Sequence, residues 1–111
     1  MVTRKTDVEK RAEVENGTLT IQKLTVAPDK PEKVRTYARA ILAPGGEVEY
    51  HVHTGESESY YILAGKGLYN DNGSETVVQA GDITFTPSGS GHGIKNTGTE
   101  DLHFMALIVL E

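Results

Sequence analysis

The sequence predicts an all-β domain, built as a sandwich or a closed barrel. Short runs rich in Val, Ile, Thr and Tyr alternate with polar residues, while few segments longer than ten residues show helical apolar spacing. Turn residues such as Asn72-Gly73 and Pro44-Gly45-Gly46 separate the runs at regular intervals. So many strands favour closure, because a closed sheet has no open edges to aggregate.

Nine strands are predicted in chain order. They cover Thr18 to Val26, Val34 to Ala43, Glu47 to His53, Glu58 to Leu63, Gly67 to Asn70, Glu75 to Val78, Ile83 to Thr86, His92 to Lys95 and Leu102 to Leu110. Asn72-Gly73 suits a type I′ hairpin, since both residues tolerate positive φ. Residues 1–16 are expected to be a partly ordered segment, in which DVEKRAEVE forms a short helix or stays loose. Residues 17–111 are expected to form a single barrel domain.

Length, composition and charge exclude several classes of protein. A chain of 111 residues fits one domain, and 37% hydrophobic with 24% charged residues is typical of a soluble globular protein. The longest apolar run, FMALIVL, is far below the roughly 18 residues of a membrane span. No secretory signal is recognisable, so a cytoplasmic location is expected. A net charge of -5 without a positive face argues against nucleic acid as a partner.

The stretch HVHTGESE, residues 51–58, contains the residues that suggest chemistry. His51 and His53 face the same side of a strand, with Cα atoms about 6.6 Å apart, and can chelate one ion. An antiparallel return after the turn would bring the Glu58 carboxylate beside them. The chain has no cysteine, so a metal must be held by imidazole, carboxylate or water. Taken alone, a His-x-His pair is weak evidence, since such pairs also occur as surface residues or hydrogen-bonded core pairs.

Two longer patterns agree with a metal site. In the first, five residues separate Gly45 from His51, one separates His51 from His53, four separate His53 from Glu58, and six separate Glu58 from Gly65. In the second, five residues separate Gly81 from Pro87, one separates Pro87 from Gly89, two separate Gly89 from His92, and three separate His92 from Asn96. Together they resemble the two motifs of the cupin superfamily, small β-barrels with a central metal. The resemblance covers most of the chain and implies a double-stranded β-helix, or jelly-roll, barrel.

The resemblance implies that His51, His53, Glu58 and His92 hold one divalent metal. Three imidazoles and one carboxylate suit Mn(II), Fe(II), Co(II), Ni(II) or Zn(II), and not Ca²⁺, which prefers oxygen ligands. Mn(II) is expected first, because the chain looks most like short single-domain cupins that are compared with the Mn(II)-dependent oxalate decarboxylases. Four protein ligands leave two positions of an octahedral ion open to a small bidentate carboxylate, an enediol or O₂.

Two functions are compatible with such a site. One is a metal-dependent enzyme acting on a small carboxylate or sugar acid, as a decarboxylase, isomerase or dioxygenase. Oxalate decarboxylases, however, have two cupin domains, a lid loop with a catalytic glutamate and a substrate-binding arginine. This chain shows one domain, no segment long enough for that lid, and Val48 in the arginine's place. The other function is a non-catalytic module that binds or senses a metal and a small polar ligand. The resemblance also implies a homodimer, formed through an outer sheet face or exchanged N-terminal strands.

Strand parity suggests further residues around the metal. Tyr60 shares the inward face of Glu58 and acts as a general acid or only packs the wall. Glu49 shares the parity of the two histidines and lines the pocket mouth or is simply solvated. Arg39 binds a substrate carboxylate if it points inward, or forms an outward salt bridge. Core positions are expected for Tyr37, Phe85, Phe104 and the last-strand face that carries His103, Met105, Leu107 and Val109. An acid/base role, or a hydrogen bond that orients a metal-bound histidine, is the alternative for His103.

Overall fold

The structure, a computed structural model, describes all 111 residues as two antiparallel sheets preceded by one short helix. The elements are α1 (Lys5–Glu9), β1 (Ala12–Asn16), β2 (Leu19–Lys23), β3 (Val34–Leu42), β4 (Glu47–Val52), β5 (Glu56–Ala64), β6 (Lys66–Asp71), β7 (Ser74–Gln79), β8 (Ile83–Thr86), β9 (Gly91–Asn96) and β10 (Leu102–Leu110). One sheet has the order β1-β2-β3-β10-β5-β8, and the other has the order β4-β9-β6-β7. No helix has the length and apolar character needed to cross a bilayer.

All nine predicted strands are present, and their ends lie within three residues of the predicted ones. The hairpin prediction is also confirmed, because Asn72 and Gly73 have φ angles of 49° and 101° and join β6 to β7. The N-terminal segment contains both a helix and a tenth strand, β1, which pairs with β2. All five residues of β1 are exposed. Its alternation of Ala12 and Val14 with two glutamates is short and none of its side chains is buried, so the sequence pattern alone does not identify it as a strand.

The core lies between the two sheets. Its largest side chains include Leu42, Ile62, Ile94, Leu102 and Phe104, each at most 2% exposed. The face of β10 that reaches this core is therefore the even-numbered one, and the expectation for His103, Met105, Leu107 and Val109 is wrong. The expectation for Tyr37 and Phe85 is wrong as well, since these rings are 42% and 61% exposed. Apolar residues occupy both faces of β10, so alternation cannot tell them apart.

The chain between His53 and Glu58 crosses from one sheet to the other. β4 pairs with β9 in the four-stranded sheet, whereas β5 lies between β10 and β8 in the six-stranded sheet. The expected antiparallel return beside the histidines is therefore wrong as a pairing. Glu58 instead approaches His53 across the interior.

A β-bulge in β4 alters which residues face the interior. The register against β9 shifts between Val48 and His51, so both face inward although they are three residues apart. Gly93 lies opposite the bulge, where a Cβ atom would come within 2.9 Å of the Val48 carbonyl oxygen and the Tyr50 amide nitrogen. The missing side chain at Gly93 therefore allows the close backbone approach that the bulge requires.

Candidate metal centre

Four side chains from three strands converge inside the barrel. His51 and His53 come from β4, His92 from β9 and Glu58 from β5. Their ligand atoms all lie within 4.8 Å of one another. His53 Nε2 is 3.2 Å from His51 Nε2, 3.0 Å from His92 Nε2 and 2.9 Å from Glu58 Oε1. His92 Nε2 is 2.8 Å from the same carboxylate oxygen. The structure thus brings together the four residues that the resemblance selected.

The spacing of these atoms fits a divalent transition metal. Two donors each about 2.1 Å from one ion are about 3.0 Å apart when adjacent in an octahedron, and about 3.4 Å apart in a tetrahedron. The four closest separations here lie between 2.8 and 3.2 Å. The donor set of three imidazoles and one carboxylate is also the kind that such ions prefer. The cluster can therefore hold a metal, and its spacing favours octahedral geometry.

The Nδ1 atoms of the three histidines all have partners on the side away from the cluster. His51 Nδ1 lies 2.7 Å from the Glu49 carbonyl oxygen, and His53 Nδ1 lies 3.0 Å from Glu56 Oε1. A carbonyl and an ionised carboxylate only accept, so both Nδ1 atoms donate, and in the neutral imidazoles both Nε2 atoms then carry a lone pair. His53 Nε2 therefore faces His51 Nε2 with lone pairs on both, an arrangement that a shared cation stabilises. Such outer hydrogen bonds fix the tautomer and the ring orientation of a metal ligand.

Glu56 is a buried carboxylate that the sequence reasoning missed. Its side chain accepts hydrogen bonds from His53 Nδ1 and from Arg35 Nη1, which lies 2.6 and 2.7 Å from the two carboxylate oxygens. The Arg35 hydrogen bond, followed by that from His53, lowers the pKa of Glu56 below its usual 4.5. The carboxylate is therefore charged and keeps His53 in the donor tautomer at Nδ1. Its parity with Glu58 on β5 was a signal that could have identified it.

Tyr69 on β6 is the second residue that sequence reasoning missed. Its hydroxyl lies 2.9 Å from His92 Nδ1 and 3.0 Å from the Thr86 hydroxyl. When His92 Nε2 carries the lone pair, Nδ1–H donates to Tyr69 and the Tyr69 hydroxyl donates to Thr86. Burial raises the pKa of Tyr69, so the phenol stays neutral and able to donate. Nothing in the local sequence distinguishes Tyr69 from a core tyrosine.

Tyr60 faces inward as predicted, in the wall of the site. It is 3% exposed, and its ring stacks on His92 with 4.9 Å between centroids and packs on Phe104 at 4.4 Å. Burial, and then the charge of Glu58, raise the pKa of Tyr60 well above its ordinary value. No hydrogen bond joins its hydroxyl to any of the three imidazoles. Its contacts orient His92 through stacking.

Arg39 does not occupy the position expected of a ligand-binding residue, whereas Glu49 lies at the mouth of the pocket. Arg39 Nη2 contacts His103 Nδ1 at 3.0 Å on the outer face of the six-stranded sheet, which corrects the expectation that it binds a ligand at the metal. The reason is that β3 buries its even-numbered residues Ala38 and Ala40. Glu49 lies in the β4 bulge and is exposed at the rim of the central cavity, which is the pocket-mouth position considered for it.

A cavity of about 670 Å³ opens between the sheets and reaches the four-residue cluster. His51, His53 and Glu58 line its inner end, while β2, β3 and β10 supply apolar walls that include Ile21, Ala38 and Ala106. Two cationic side chains also line it, Lys23 and Arg35. A cavity of this size holds a small molecule beside the cluster, since ligand pockets typically measure about 300 to 1,000 Å³.

Comparison with known families agrees with this geometry. The family model described as the cupin domain matches residues 38–109. The chain belongs to the cupin family. This match runs from within β3 to within β10 and includes every residue of the four-residue cluster, so the barrel and the candidate metal site lie in one cupin domain.

Relatives of this cupin include proteins connected with oxalate. It is 51% identical over 78 residues to a Thermotoga maritima oxalate-binding protein, an alignment covering 70% of this chain and 64% of that protein. It is 32% identical over 83 residues to the Bacillus subtilis oxalate decarboxylase, covering 70% of this chain and 22% of that enzyme. The chain thus spans less than two thirds of these curated relatives. A Thermotoga maritima crystal structure, described as a predicted oxalate decarboxylase, superposes with a TM-score of 0.91 at 38% identity, covering all of both chains.

Proposed function

We propose that this cupin binds a divalent transition metal, Mn(II) first, and takes a small carboxylate as its ligand at that metal. The observation that carries the proposal is the convergence of three imidazole Nε2 atoms and the Glu58 carboxylate at the inner end of an open cavity. His51, His53, His92 and Glu58 would hold the ion. A bound divalent metal supplies a Lewis acid that attracts and polarises a carboxylate oxygen.

The residues around the cluster support binding of one small ligand. Each imidazole has its Nδ1 held by a separate partner, so the three rings are oriented before a metal arrives. The cavity gives a ligand access from solvent on one side. The similarity to an oxalate-binding protein at 51% identity supports a carboxylate as the ligand class.

A pair of histidine variants tests the proposal. Purified protein is depleted of metal and titrated with Mn(II), and the Mn(II)-loaded protein is then titrated with oxalate, both by calorimetry. His53→Ala is expected to abolish both binding events. His103→Ala removes a histidine that lies outside the cluster and is expected to leave both intact. Full Mn(II) occupancy in His53→Ala would refute the assigned ligand set.

Enzymatic turnover of the carboxylate is a second candidate function. The observation that favours it is the 32% identity to an oxalate decarboxylase over the matched segment. Against it, Tyr60, the candidate acid, is 3% exposed and packs on His92 and Phe104, and burial raises its pKa. Release of formate and CO₂ from oxalate by the Mn(II)-loaded protein would support turnover. Stable oxalate binding without formate would assign the protein to the binding modules.

We further propose that the chain forms a homodimer through an apolar outer face of the six-stranded sheet. The face is a contiguous set of exposed apolar side chains on β3, β10, β5 and β8: Tyr37, Leu107, Tyr61, Ile83 and Phe85. Ile83 and Phe85 are 73% and 61% exposed. A contiguous apolar patch of this kind on a small protein marks an interaction surface.

Light scattering after size-exclusion chromatography tests the dimer. Phe85→Lys is expected to convert dimer to monomer, because a charge on the apolar face opposes its burial. Val77→Lys is the control, since Val77 is 64% exposed on the other sheet and should leave the dimer intact. A wild-type monomer at tens of micromolar would contradict this proposal. The cytoplasmic location and the lack of a nucleic-acid partner remain predictions.

A further inference from the structure

A second β-bulge directs Arg35 toward the central cavity. Across β3 and β10, Thr36 pairs with Ile108 and Val34 pairs with Val109, which leaves Arg35 as the extra residue. Strict alternation would place Arg35 on the outer face, as it does Tyr37. The bulge instead turns its side chain to the cavity that also reaches the metal cluster. Bulges commonly re-aim a side chain in this way beside functional sites.

Glu56 holds the Arg35 guanidinium by one of its nitrogens only. Nη1 contacts both carboxylate oxygens of Glu56, at 2.6 and 2.7 Å. Nη2 and Nε make no hydrogen bond within the protein, and the side chain is 58% exposed. Three N–H donors of a planar, permanently charged group therefore remain without a protein partner in a residue that lines the cavity.

The position of Arg35 relative to the cluster is set by one shared oxygen. Glu56 Oε1 accepts from Arg35 Nη1 at 2.6 Å and from His53 Nδ1 at 3.0 Å. His53 Nε2 in turn belongs to the metal cluster. Arg35 is thus one carboxylate removed from a metal-holding imidazole, and it lines the same cavity as His51, His53 and Glu58.

Arg35 is also the better placed of the two cations in the cavity. The other, Lys23, lies with its ammonium 3.4 Å from Glu13 Oε2 near the sheet edge. An arginine fork suits a planar carboxylate better than an ammonium does, because it can donate two parallel hydrogen bonds. Val48, on the cavity wall beside the histidines, offers no charge.

We infer that Arg35 binds the second carboxylate of a small dicarboxylate whose first carboxylate lies at the metal cluster. This inference rests on the proposed function and narrows it from carboxylates to dicarboxylates. Arg35 is then the residue that determines specificity, and Glu56 holds it in place while orienting His53.

Calorimetric titrations of the Mn(II)-loaded protein with acetate, oxalate and malonate test the inference. Arg35→Gln is expected to weaken the tighter-binding dicarboxylate by about tenfold or more, the usual effect of losing a charge-assisted hydrogen bond. Its acetate affinity is expected to change by about twofold or less, and its Mn(II) stoichiometry to stay that of the wild type. Arg35→Lys keeps the charge and should fall between wild type and Arg35→Gln. Lys23→Gln removes the other cavity cation and should bind the dicarboxylate like the wild type.

Three results would overturn the inference. Arg35→Gln binding the dicarboxylate within about twofold of the wild type would show that the guanidinium makes no contact with it. Equal weakening of acetate and dicarboxylate, or loss of Mn(II), would show that Arg35 acts only through Glu56 and the cluster. Wild-type protein that binds Mn(II) but no carboxylate would refute the proposed ligand class itself. This outcome differs from the first two, because in those only the Arg35→Gln variant is affected, whereas here the wild type itself binds no carboxylate.

Discussion

Replacing Tyr69 by phenylalanine removes a single buried oxygen and should weaken metal binding. That oxygen is the partner of His92 Nδ1 at 2.9 Å, and it also contacts the Thr86 hydroxyl at 3.0 Å. His92 is fully buried, so no water replaces the lost acceptor. The ring loses the contact that selects its tautomer, while its stacking on Tyr60 remains.

The size of the effect follows from the two partners left behind. An unsatisfied buried donor costs about 1–3 kcal/mol, which is the expected loss in the free energy of unfolding of the metal-free protein. Loss of a hydrogen bond that orients a metal-bound histidine typically lowers metal affinity by about 10- to 100-fold. That range corresponds to about 1.4–2.7 kcal/mol. The loss of this one hydrogen bond therefore accounts for both the lower stability and the lower metal affinity.

Urea unfolding of the metal-free protein and competition with a chromogenic chelator for Mn(II) measure the two effects. Tyr61→Phe is the control, because it removes the same atom from a ring that is 47% exposed on the outer face of the six-stranded sheet, away from the four-residue cluster. The control should bind Mn(II) within about twofold of the wild type. If Tyr69→Phe also bound Mn(II) within twofold, the hydroxyl would not orient His92 and the reasoning would fail.

Three other substitutions have expected outcomes. His92→Ala should remove Mn(II) binding while the far-ultraviolet circular dichroism stays that of a β-protein; full occupancy would disprove the ligand assignment. Asn96→Ala should lower the free energy of unfolding by about 2–4 kcal/mol in urea titrations. The reason is that the buried Asn96 side chain donates to the Leu42 carbonyl at 2.8 Å and accepts from the Gly98 amide at 2.9 Å. A loss below about 1 kcal/mol would contradict this. Gly93→Ala should cost about 1–3 kcal/mol by the same titration, because the new methyl group strikes the β4 bulge; wild-type stability would show that the bulge can relax.

The metal cluster was predictable because its pattern is local in sequence. His51, His53 and Glu58 lie within eight residues, and the spacing around His92 fixes the second motif. The resemblance therefore selected all four residues that the structure brings together. How Glu58 reaches the histidines was not predictable from spacing, since the chain changes sheets between β4 and β5.

The surroundings of the cluster depend on register, which the sequence does not encode locally. The two bulges place Val48 and Arg35 in the cavity, against simple alternation. A bulge is defined by two residues opposing one on another strand, so it becomes visible only when strands are paired. The glycine at position 93, in the interior of a strand, was the available hint.

Which face of β10 is buried could not be predicted, for a different reason. Leu102, Phe104 and Ala106 are buried, while Leu107 is 37% exposed on the opposite side. Both sets are apolar, so periodicity cannot assign the core. The physical reason is that the outer face of this sheet is itself apolar, consistent with a partner covering it.

At the cluster, the two sheets of the barrel contact each other through side chains and not through backbone pairing. Three of the four converging residues belong to the smaller sheet and Glu58 belongs to the larger one. A cation bound there would cross-link the two sheets and stabilise the folded state. Its contribution to the free energy of unfolding grows with the concentration of free metal and reaches about 2.7 kcal/mol when that concentration is a hundred times the dissociation constant. The melting temperature of this protein then reports the availability of metal in its surroundings.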